Sequence, residues 1–128
     1  MIGINDCWRR YDQNDATPAA DYERVYRGII SSAKEAMPAL KIIIMEPFLL
    51  PHPKDREEWR VDLDPKIHAA RKVAADNKCG FVPLDGLFAQ AAAKKEYAHW
   101  AEDGVHPSVN GHTLIAEAWL DFYFNLTA

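Results

Sequence analysis

The sequence predicts an α/β fold with a parallel sheet flanked by helices, and three observations predict it. Short continuous apolar runs alternate with longer segments of helical periodicity. One of those runs, Ile42-Ile43-Ile44, is wholly β-branched, as a strand covered on both faces requires. Alternation of this kind points to a layered fold with crossover helices on the sheet faces. Polar pairs close the runs at Asn5-Asp6, Glu46-Pro47 and Asp85-Gly86, at the carboxyl ends of strands, where function gathers in such sheets.

The elements follow in order. Met1 to Asn5 is an apolar run closing on a polar residue and reads as the end of a buried parallel strand. Asp6 to Ala16 reads as irregular, with Trp8, Arg9, Arg10 and Tyr11 embedded in it. Arg9 and Arg10 are expected to pair with carboxylates. Thr17-Pro18 is a cap followed by proline, a helix start. Tyr22, Val25, Tyr26, Ile29, Ile30, Ala33 and Met37 then recur at helical spacing until Pro38. Lys41 to Met45 is the second strand. Phe48 to Leu63 reads as a long loop with a charged cluster from Lys54 to Arg60. Asp64-Pro65 repeats the start signal, with Ile67, Ala70, Val73 and Ala74 inward and a stop at Gly80. Phe81 to Leu84 is a third strand, and Asp85 to Lys95 a helix. From Ser108 a closing helix presents Leu114, Ile115, Ala118, Trp119 and Phe122 on one face.

At 128 residues the chain is one domain, long enough to bury a core. A net charge of −4 without a basic patch argues against nucleic acid as a partner. The longest apolar runs fall far short of a membrane span, so no membrane partner is expected. Cys7 and Cys79 alone make no disulfide framework and read as buried thiols.

The chemistry concentrates in Asp103-Gly104-Val105-His106-Pro107-Ser108. A carboxylate and an imidazole sit three positions apart with a glycine between them, so Asp103 can fold back onto one ring nitrogen of His106. The other nitrogen is then free to act as a base. Ser108, at the head of the closing helix, reads as its N-cap. Gly3-Ile4-Asn5-Asp6 places an amide donor at a strand end, where it could serve an oxyanion hole or simply close a turn. His106 and His112 lie six residues apart across a helix start, which puts no two imidazoles on one face, so no metal site is expected. Trp8, Trp59 and Trp100 flank the presumed cleft loops, where they could stack on a sugar ring, line an acyl pocket, or simply lie partly buried under the loops.

Gly3-Ile4-Asn5-Asp6 and Asp103-Gly104-Val105-His106-Pro107 together resemble the third and last blocks of the SGNH (GDSL-type) ester hydrolases. The resemblance covers essentially the whole chain and corresponds to the C-terminal part of that family. Gly3 to Arg10, Glu46-Pro47-Phe48 and Asp103 to His112 look most like the carbohydrate acetylesterases, including acetylxylan esterases. The resemblance implies a flavodoxin-like SGNH fold truncated at the N-terminus, its first strands missing. It also implies His106 as general base and then acid, Asp103 as its orienting carboxylate and Asn5 as oxyanion donor. No cofactor is implied, and the substrate would be a small ester or an acetylated carbohydrate. The family's nucleophile is a serine in a Gly-Asp-Ser block that this sequence lacks and that is expected upstream of Met1. The serines present are Ser31, Ser32 and Ser108. Ser31 and Ser32 fall mid-helix, and Ser108 is a cap, so none is assigned as nucleophile. Cys7 is the one thiol near the Asn5 loop. An exposed first strand would favour a homo-oligomer. Two other readings are a non-catalytic oligomerising fragment and a lysophospholipase or lipase of the same family.

Overall fold

The computed structural model describes residues 1–127, with side chains through Asn125. The elements are α1 (Ile4–Asp12), α2 (Ala19–Ala36), β1 (Ile43–Met45), a 3-10 helix (Lys54–Trp59), α3 (Arg60–Asp76), β2 (Gly80–Val82), α4 (Leu84–Ala92), α5 (Tyr97–Trp100) and α6 (Val109–Thr127). β1 and β2 pair in parallel, Ile43 opposite Gly80 and Met45 opposite Val82.

Alternation along the strands sends neighbouring side chains to opposite faces. Ile44 and Phe81 pack against α2 and α3, among Tyr22, Tyr26, Ile30, Ala70 and Val73. Ile43, Met45 and Val82 pack on the other side, against Phe88 of α4 and Leu114, Ile115 and Phe122 of α6. The result is a helix–sheet–helix sandwich. A third cluster of Cys7, Leu49, Trp59, Leu63, Ile67 and Val105 joins α1, the 3-10 helix and the Asp103–His106 loop. That cluster is the floor beneath the candidate site.

The α/β class and the parallel sheet are observed, but several elements differ from expectation. Among the described residues the sheet has two strands, not three. Met1 to Asn5 is not a strand: residues 1–3 have no regular structure, and helix α1 begins at Ile4. Gly3 turns the chain at φ 131°, and the Tyr22 hydroxyl fixes that turn by donating to the Ile2 carbonyl at 3.0 Å. The stretch read as irregular is helical to Asp12, and Ile4, Cys7, Trp8 and Tyr11 form its inner face. Their spacing of three, one and three residues is a helical stripe, hidden by the arginines and aspartates between them. Arg10 does pair with a carboxylate, Asp62, at 3.4 Å.

Thr17 caps nothing; Pro18 occupies the N-cap without a side-chain bond. Only Tyr22, Tyr26 and Ile30 of α2 are buried, while Val25 and Ile29 remain 52% and 51% exposed. Asp64-Pro65 does not start a helix. The 3-10 turn runs straight into α3 at Arg60, anchored by buried Trp59 and Leu63, and Pro65 lies inside the helix. The helical acceptor that proline leaves without a donor belongs to exposed Val61, on the solvent side, where water can satisfy it. α3 ends at Asp76, before the expected stop. Lys78, at φ 52°, makes the turn, and Gly80 opens β2.

Candidate active site

α5 and α6 are joined by a loop whose hydrogen bonds are nearly all local. The Ser108 hydroxyl accepts from the Gly111 amide at 3.2 Å and donates to the His99 carbonyl at 2.7 Å. It is the cap the sequence indicates, tied down at both ends. Within the loop, Asp103 Oδ1 accepts from the amides of Val105 (3.0 Å) and His106 (2.8 Å). Its Oδ2 lies 2.6 Å from His106 Nδ1. One carboxylate thus shapes the backbone with one oxygen and holds the imidazole with the other. Gly104 sits at φ 80°, and a Cβ there would overlap the carbonyl oxygens of Leu50 and His52. Its own carbonyl accepts from the Leu50 amide at 3.0 Å, fastening the loop to the segment leaving β1.

Asp103 is held below the usual carboxylate range. Its partial burial, the largest single influence, opposes ionisation. The bonds from the His106 ring and from the amides of His106 and Val105 outweigh it. A carboxylate only accepts, so the neutral ring carries its proton on Nδ1 and leaves a lone pair on Nε2. The His106 side chain is 73% exposed, at an open depression bounded by Glu102, Asp103, Pro107 and Ser108. The Trp8 ring meets the imidazole edge-on, centroids 5.6 Å apart. Among the described residues no protein group bonds Nε2. Chemically, this is a base oriented by an acid and open to an incoming proton.

Residues 1–114 match the GDSL-like Lipase/Acylhydrolase family. The chain belongs to that family. It is 32% identical over 125 residues to the acetylxylan esterase of Geobacillus stearothermophilus, covering 94% of this chain and 55% of that protein. Among solved structures, a Parabacteroides merdae protein assigned to the GDSL-like lipases superposes with a TM-score of 0.89 at 28% identity, over 95% of this chain and 57% of the other. The Geobacillus acetylxylan esterase Axe2 superposes with a TM-score of 0.78 at 30% identity, over 95% and 56%. The chain therefore spans little more than half the length of the relatives it matches. Solved forms of Axe2 include catalytic mutants in which a histidine or a serine is replaced by alanine.

α1 lies against the Asp103–His106 pair, through Cys7 and Ile4 packed with Val105 and through Trp8 on His106. Asn5 is exposed in the first turn of α1, not at a strand end, and no hydrogen bond joins it to the dyad. Cys7 is fully buried, and its Sγ donates to the Trp59 carbonyl at 3.5 Å. Burial, then the charge of Asp62, pushes its thiol up to about 12. That removes Cys7 as a nucleophile, since the thiolate is the reactive form. Ser31 and Ser32 are exposed on α2. Of the tryptophans expected at the cleft, Trp8 lies beside His106, whereas Trp59 is buried beneath it.

The acids that follow the two strands, Glu46 and Asp85, are held by protein partners. Glu46 is fully buried, accepting from Arg71 at 2.6 Å and from the Asp85 amide at 3.0 Å. Asp85 accepts two bonds from Arg60 at 2.8 Å and one from the Leu49 amide at 3.1 Å. This network fixes residues 46–50, the segment on which Gly104 rests. A separate cleft bounded by Leu50, Glu57, Arg60, Asp85 and Tyr97 does not include the dyad. Arg56, read in the sequence only as part of a charged cluster, touches the site directly. Its Nε donates to the Asp103 carbonyl at 3.2 Å.

Proposed function

We propose that this chain carries the acid–base half of an acyl-ester hydrolase acting on small esters, O-acetyl groups on carbohydrate in particular. The supporting observation is the 2.6 Å pairing of Asp103 with an exposed His106 whose Nε2 is unengaged. In the complete reaction a serine hydroxyl attacks the ester carbonyl while His106 Nε2 takes its proton. The imidazolium, stabilised by Asp103, then returns that proton to the leaving alcohol. Water repeats the cycle to release the acid. Asn5 is proposed as an oxyanion donor from the first turn of α1, an interaction worth roughly 2.7–4 kcal/mol in the transition state. The acetyl-carbohydrate assignment draws on the acetylxylan esterase relatives and on Trp8, an aromatic face beside the base able to stack on a sugar.

The nucleophile is proposed to come from polypeptide beyond these residues. Ser108 is engaged at both its donor and acceptor sites, Ser31 and Ser32 face solvent on α2, and Cys7 is a buried thiol. The chain alone is therefore expected to hydrolyse p-nitrophenyl acetate at background, with no difference on His106→Ala. A rate above background that disappears in His106→Ala would mean that these residues hold a nucleophile. It would overturn the half-site reading while supporting the dyad.

A further inference from the structure

We infer that Arg56 is a positioning residue that sets the Asp103–His106 dyad in place by joining the loop, α1 and the 3-10 helix through one planar guanidinium. Its Cζ lies 4.1 Å from the Trp59 ring centroid and 5.4 Å from that of Trp8. Its Nε donates to the Asp103 carbonyl at 3.2 Å. The side chain is only 14% exposed, although its ion-pair partner Asp55 (2.9 Å) is 61% exposed. A surface pair of that kind contributes little, so Asp55 does not explain why a cation is held in this place. The aromatic faces and the Asp103 carbonyl do. Trp59 is in turn stacked on Tyr11, centroids 4.9 Å apart with planes 10° from parallel, and tilted against Trp8 at 5.4 Å. Trp8 meets His106. Arg56 thus reaches the dyad by two routes: directly on the acid's backbone, and through Trp8 on the base's ring.

The two routes constrain different things. The bond to the Asp103 carbonyl fixes the residue whose carboxylate shapes the loop and holds Nδ1. The stack fixes the ring against which the imidazole rests. Together they need a flat cation lying on the rings with an Nε donor at its edge, a combination lysine does not supply.

The test is made on the resting protein. Amide hydrogen exchange is followed at Val105 and His106, whose N–H groups donate to Asp103 Oδ1, and at Glu46 and Gly80, whose amides bond Val82 and Ile42 in the sheet. The downfield Nδ1 proton of His106 is observed by NMR in the same samples. Arg56→Ala and Arg56→Lys are expected to speed exchange at Val105 and His106 by about tenfold. Both should broaden the ring proton while Glu46 and Gly80 stay unchanged. Asp55→Ala should match the parent throughout. Exchange at Val105 and His106 unaltered in the variants would overturn the assignment. Equal acceleration at all four amides, meaning general loss of stability, would overturn it too, as would parent-like behaviour of Arg56→Lys. If Arg56→Ala does not fold, Arg56→Lys decides alone. That the positioned dyad is catalytic rests on the acylhydrolase reading, but neither readout needs turnover. A failed esterase assay and a failed exchange experiment are therefore separable.

Discussion

Asp103 does more for the loop than any other side chain. It satisfies two amides with one oxygen and the imidazole with the other, so its removal frees three donors at once. Asp103→Ala is expected to cost about 1–2 kcal/mol at pH 7, given that the carboxylate is partly exposed, measured as the drop in thermal midpoint. The pH dependence has a definite sign. The folded-state pKa lies below the ordinary one, so the stabilisation is complete above the unfolded-state value. It is lost as pH falls through the lower, folded-state value. The gap in midpoint between parent and Asp103→Ala should hold from neutral pH down to about pH 4 and close below it. A gap that widens in acid would contradict the assignment.

At the scale of elements, two features are sharply testable. Gly104 combines φ 80° with direct contact to backbone carbonyls, which cannot move aside as a side-chain tip could. Gly104→Ala should destabilise by more than about 1 kcal/mol and, in denaturant titration, should lower the midpoint without changing the slope. The second feature joins α1 to α3. Lys66 is 1% exposed, 2.8 Å from the Asp62 carboxylate, which Arg10 of α1 reaches at 3.4 Å. Lys66→Met leaves that carboxylate to the longer contact with half-exposed Arg10 and should cost about 2–3 kcal/mol. Adding Asp62→Leu should restore most of it, and a double variant no better than the single would contradict the account.

The same scale shows how much was legible in advance. Ile42 to Met45 and the Asp103–His106 loop could be read directly, because a β-branched run and a short carboxylate–glycine–imidazole spacing each have few alternatives. α1 was hidden because its inner stripe of Ile4, Cys7, Trp8 and Tyr11 is interleaved with charge, and because the apolar run from Met1 to Asn5 invited a strand there. Pro65 misled because proline marks a helix start only when no earlier turn is anchored, and buried Trp59 anchors one. Arg56 could not have been found from sequence: its role depends on Trp8, Trp59 and Asp103, which are brought together only by the fold.

On the whole-molecule scale, the chain spans 55–57% of the length of the relatives quoted, and its apolar surface is correspondingly uneven. Val25, Ile29, Met37 and Leu40 are exposed around α2 and the approach to β1, and Leu120 and Phe124 along α6. Among the described residues β1 pairs only with β2, leaving its far edge open. Contiguous apolar surface and open strand edges recruit other polypeptide. With residues 1–5 not a strand, association is expected through β1 and the α2 face. Light scattering should report a species larger than one chain, and Ile29→Lys should reduce that association without lowering the thermal midpoint. A monomer at about 100 μM would contradict this.

The claim on which the functional reading depends is that Asp103 fixes His106 as a base with its lone pair outward. The 15N shifts of the His106 ring test it most directly. In the neutral imidazole they should report a proton resident on Nδ1 and an unprotonated Nε2, a state lost in Asp103→Ala. A ring protonated on Nε2, or averaging between the two tautomers in the parent protein, would contradict the account.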